Sequence, residues 1–84
     1  MSPQVIRRTI LAELASYGSG ITPAGLLELV KVKLPQTTLG DIVEELSWLR
    51  DHSHVAYTAS PLDPDDRALR QWTITTQGEL TLKK

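Results

Sequence analysis

The hydrophobic period changes once along these 84 residues, at Ser53. Upstream, apolar residues recur at three- and four-residue spacings. Downstream, Val55, Tyr57 and Ala59 alternate with Ala56, Thr58 and Ser60, the period of a half-buried strand. A chain of this length buries a single core, so helical and extended parts must share it.

Three helices precede the change. Ser2-Pro3 reads as a cap followed by proline at the first helical position, opening a helix over about 2–17. Ile6, Ile10, Leu14 and Tyr17 fall on its buried face, with Leu11 on the flank. Gly18-Ser19-Gly20 stops it, and Ile21 is expected to form a strand of one or two residues. Thr22-Pro23 repeats the start signal for a second helix over 23–34, buried through Leu26, Leu27, Val30 and Leu34 and ended by Pro35. Leu29 and Val32 lie outside that stripe, either as cover for the core edge, the simpler reading, or toward a partner. After a tight turn, Thr38 and Asp41 form a shortened capping box for a third helix over 38–52, with Leu39, Ile42, Val43, Leu46 and Leu49 as its expected core stripe. Gly40, in its first turn, lowers helix propensity, which points to close packing or to close approach by a ligand. Helices two and three form a helix-turn-helix unit, whose second helix is the one offered to a DNA groove.

The extended part reads as a hairpin. Strands are predicted over 54–60 and 68–75, joined by a loop with two prolines and three aspartates that no ladder accommodates. Trp72 and Ile74 point to the core, with Arg70 at the rim of the same face, and Thr75 caps a terminal helical turn over 76–82.

Composition removes several function classes. The sequence has no cysteine, which excludes disulfide frameworks and thiolate chemistry. It has no leader pattern and no apolar run approaching the roughly 20 residues that span a bilayer, so a cytoplasmic protein without membrane contact is expected. Asp51, His52 and His54 mimic a metal or acid/base cluster, but a helix end favours histidine through its dipole alone. Asp63, Asp65 and Asp66 lack the glycine and distal glutamate of a calcium loop. With no glycine-rich phosphate loop or catalytic constellation, neither an enzyme nor a cofactor is expected.

The order helix, helix, helix, hairpin carries a resemblance. Leu46 and Leu49 close helix three, followed by Ser53 and a strand beginning at Val55. Trp72, Ile74, Thr75 and Gly78 follow the spacing aromatic, aliphatic, threonine, two polar residues, glycine. In these positions the chain resembles the winged helix-turn-helix family over nearly its whole length. The resemblance implies an α+β fold: a three-helix winged helix-turn-helix with a C-terminal two-stranded β-hairpin wing and a short terminal helical turn, as one domain over 1–84. It also implies helix three in the major groove, the wing on phosphate or the minor groove, and a DNA-binding role in transcription regulation or as an accessory factor. Many family members pair on two half-sites. The chain ends soon after the wing without a long pairing helix, so a homodimer here would rest on Leu29, Val32 or Trp48.

Charge divides the surfaces. Helix three sets Arg50 against Asp41, Glu44, Glu45 and Asp51, net −3, and the wing loop sets Arg67 against Asp63, Asp65 and Asp66, net −2. Residues 1–37 and 68–84 each carry net +2. DNA affinity comes largely from lysine and arginine on phosphate, so the DNA candidates are Arg7, Arg8, Lys31, Lys33, Thr37, Thr38, Arg50, Arg67 and Arg70. The dipole of helix two also accounts for Lys31 and Lys33. Opposite the leucine stripe stand Asp41, Glu44, Glu45, Trp48 and His52. Trp48 is either an edge residue, a base-stacking platform or the anchor for an unidentified protein partner. In the partner reading the surface comprises Glu44, Glu45, Trp48, His52 and Asp63, and the chain is a protein-protein interaction module.

Overall fold

Helix starts lie where the sequence supplies caps. The computed structural model describes residues 2–83, in the order α1 (Pro3–Tyr17), α2 (Pro23–Lys33), α3 (Leu39–Asp51), β1 (Val55–Thr58), β2 (Gln71–Ile74) and α4 (Thr76–Leu82). Thr22 Oγ1 accepts from the Gly25 N–H at 3.2 Å. The capping box at α3 is complete: Asp41 N–H donates to Thr38 Oγ1, and Thr38 N–H to Asp41 Oδ2. At α1 the cap differs from expectation, because the Ser2 side chain makes no capping bond and its carbonyl alone accepts, from Val5 and Ile6.

The core is built across the three long helices. Ile10 and Leu14, Leu26 and Val30, and Ile42, Leu46 and Leu49 are essentially fully buried, and Val55 and Trp72 close it from the hairpin. Leu27, Leu29 and Leu34 pack against its edge, the safer of the two readings of Leu29. Val32 is 80% exposed. Tyr17, expected on the buried face, is exposed in the last turn of α1, beyond the packed part of the helix.

Helix three is rotated from its expected setting. Its buried residues are Ile42, Glu45, Leu46 and Leu49, while Leu39 and Val43 are 46% and 43% exposed. At 100° per residue, that moves the buried centre by roughly 50° toward Glu45. The rotation follows from α1, which places Arg7 against Glu45 and makes a carboxylate acceptable in the interface.

The hairpin pairs Val55 with Ile74, Ala56 with Thr73, Tyr57 with Trp72 and Thr58 with Gln71. Ile21 joins as a one-residue third strand, exchanging backbone hydrogen bonds of 3.0 and 2.8 Å with Trp72. Both paired strands are shorter than predicted. Residues 67–69 form a 3-10 turn instead of extending β2, because Asp66 Oδ1 accepts from the Ala68 N–H at 2.9 Å and the Asp66 carbonyl accepts from Leu69. Those bonds occupy N–H groups that a longer ladder would need.

Thr75 and Gly78 lock the end of the wing to the end of α3. Thr75 Oγ1 accepts from the Gly78 N–H at 3.1 Å and donates to the Ser53 carbonyl at 2.6 Å, while the Thr75 N–H donates to the His54 carbonyl. Gly78 packs so closely on that His54 carbonyl that a Cβ would collide with it and with Ile74. Gly78→Ala is therefore expected to lower unfolding free energy by about 1–3 kcal/mol through overpacking. Thr75→Val, which removes both side-chain bonds at similar volume, should cost about 1–2 kcal/mol. Urea unfolding followed by circular dichroism checks both values.

Candidate nucleic-acid interface

Two aromatic platforms organise the arginines, on opposite flanks of α3. On the α1 side, Arg7 Nε donates to Glu45 Oε1 at 2.7 Å, and its guanidinium lies 3.7 Å from the Trp48 ring centroid. His52 stacks on the same indole, with centroids 3.7 Å apart, and its Nδ1 reaches the Trp48 carbonyl at 2.8 Å, which places the proton on Nδ1. Arg7 thus holds α1 against α3, and its charge is matched within the fold. Glu45 and Trp48 leave the outward face that the sequence assigned to them: Glu45 is buried and Trp48 is half-buried against the core.

On the other flank, α3, the start of α2 and the loop end of the wing line an open groove of about 200 Å³. Leu39, Val43 and Ser47 form one wall, and Arg50, Arg67 and Arg70 form the rim with Trp72 behind. Arg50 and Arg70 both lie over Tyr57, with guanidinium carbons 5.1 and 4.2 Å from its centroid, which pre-orients them at little conformational cost. No Asp or Glu lines this groove, and among the described residues none of these three arginines is paired with a carboxylate. Arg70 Nε is buried and has no hydrogen-bond acceptor.

The other candidate residues do not gather into one footprint. Arg8 Nη2 donates to the Leu82 carbonyl at 3.3 Å, and Lys33 pairs with Glu13 at 3.0 Å. Lys31 is exposed on α2. Thr37 is buried, 4% exposed, with its hydroxyl unpartnered, and so does not face a ligand. Thr38 is exposed but engaged in its capping box. Glu44, His52 and Asp63 are exposed. Among the described residues, no three histidine, aspartate or glutamate side chains are placed to hold a metal ion. Lys84, counted with the basic C-terminus, lies outside those residues.

Leu39, Val43 and Ser47 enter the groove although none was a sequence candidate. The signal was present: the row Leu39, Val43, Ser47, Arg50 runs down one helix face and ends in two polar residues, unlike the row through Ile42, Leu46 and Leu49.

No family model and no curated protein matches this sequence. Among solved structures, the crystal structure of F-93 of SSV1 superposes with a TM-score of 0.65 at 16% sequence identity, over 92% of this chain and 78% of that one. That likeness, with three helices and an anchored two-stranded hairpin, defines the fold as α+β, a winged helix-turn-helix. No helix among the described residues is long and apolar enough to cross a membrane.

Arg7→Met strands the Glu45 carboxylate in the α1–α3 interface and is expected to cost about 2 kcal/mol. Adding Glu45→Leu should recover most of that loss, because an apolar pair then replaces the ion pair. Urea midpoints of the two single variants and the double variant give the coupling energy.

Proposed function

We propose that this chain binds duplex DNA, as a transcription regulator or accessory factor, with the Leu39–Val43–Ser47 face of α3 in the major groove and the loop end of the wing on the backbone. One observation carries the reading: Arg50 of α3 converges with Arg67 and Arg70, which flank one 3-10 turn, on a single groove that no carboxylate lines. Phosphate oxygens are acceptors for that array. A recognition helix in this orientation presents its exposed side to base edges. The exposed Glu44 repels phosphate and trims nonspecific affinity.

Titration of a fluorescent random-sequence duplex across a salt series tests the proposal. Arg50→Ala, Arg67→Ala and Arg70→Ala should each weaken binding and reduce the slope of log K against log salt by about 1. Arg8→Ala and Lys33→Ala should leave that slope unchanged, and Glu44→Gln should tighten binding. Absence of salt-sensitive binding at low salt would overturn the reading.

A further inference from the structure

Resting on that reading, we infer that the α3 wall of the groove selects thymine by its 5-methyl group. Leu39 and Val43 are about half exposed, although they are apolar, and they line the groove together with the three arginines. The core does not use them: Ile42, Leu46 and Leu49 fill it from the adjacent face. One helical turn separates them, a rise of about 6 Å, so together they reach across roughly two base steps of about 3.4 Å.

Side-chain chemistry narrows what such a wall can read. In the major groove, apolar side chains meet the thymine methyl and arginine pairs with guanine O6 and N7. Asparagine or glutamine pairs with adenine, and a carboxylate accepts from cytosine N4. Among the side chains lining this groove are apolar residues, Ser47 and three arginines, with no amide and no carboxylate. With the arginines on phosphate, the apolar wall matches the thymine methyl. Gly40 adds an independent mark. It is exposed at the start of α3, and a Cβ there would meet only Thr38 Oγ1 at 3.7 Å, so internal packing does not require the glycine. A bare backbone at that point lets the N-terminal turn of α3 come close to the bases.

The test compares thymine with deoxyuridine, which lacks the methyl and keeps the Watson–Crick and groove hydrogen-bonding groups. Duplexes enriched from a random 20-base-pair library by the wild-type protein are resynthesised with deoxyuridine at each thymine in turn. Expected are thymine-rich enriched sites, and about fourfold weaker binding for each contacted methyl removed, the transfer value of one buried carbon group. In Leu39→Ala/Val43→Ala, whose altered side chains are largely exposed, the thymine and deoxyuridine duplexes should bind equally. Salt-sensitive binding by the wild-type protein that ignores the substitution overturns methyl recognition and leaves the DNA reading standing. Failure to bind any duplex at low salt overturns both.

Discussion

Two backbone hydrogen bonds between Ile21 and Trp72 tie the wing to the helical part of the chain. An isolated two-stranded hairpin is marginal in water. Here Ile21 supplies a third strand position, and Trp72, 5% exposed, is driven into the core between the helices. Tyr57 stands opposite Trp72 in the ladder, ring centroids 5.0 Å apart, and is thereby fixed as the platform beneath Arg50 and Arg70. The position of the groove's arginines therefore depends on a contact of β2 with the α1–α2 connection, which is distant from them in sequence. At the other end of β2, Thr75 and Gly78 fasten the wing to the α3 terminus, so its root is held at both ends.

The Arg7–Glu45 pair sets how α3 is turned about its axis. A helix wheel that counts only apolar residues centres α3 between Ile42 and Val43. An arginine on α1 makes Glu45 acceptable inside, and Trp48 follows it toward α1. Leu39 and Val43 are carried outward as a consequence. One ion pair thus determines which side chains of α3 meet solvent, and an interface ion pair of this kind contributes orientation more than stability.

Much of the fold was legible in the sequence because its signals are local. Thr22-Pro23, Thr38 with Asp41, Thr75 with Gly78 and the period change after Ser53 each act within four residues, and each corresponds to an observed boundary. The bridge at Ile21 was legible for the same reason, as an apolar residue between a glycine stop and a new cap. What was not legible depends on partners distant in the chain. Glu45 and Arg7 are 38 residues apart, and nothing near Glu45 marks it as buried. The 3-10 turn at 67–69 replaced strand because an aspartate beside it offered a nearer acceptor than the opposite strand did. In the candidate site, Arg50, Arg67 and Arg70 were identifiable as cations, but their convergence exists only once β1 and β2 have paired around Tyr57.

Charge counted along the chain and charge arranged in space give different answers for this molecule. By segment, α3 and the wing loop are both acidic. In the folded chain Glu45 is matched by Arg7, Asp41 is engaged in a helix cap and Asp66 caps the 3-10 turn, while none of these carboxylates lines the arginine groove. Arg7 and the pair Arg50 and Arg70 are built alike, each guanidinium over an aromatic ring, and differ in one respect. Arg7 has a buried carboxylate beside it and serves the interior, whereas the groove arginines have none. A protein of net charge −1 can in this way keep a local cationic face, because counter-ion screening confines the reach of exposed charges to roughly 10 Å.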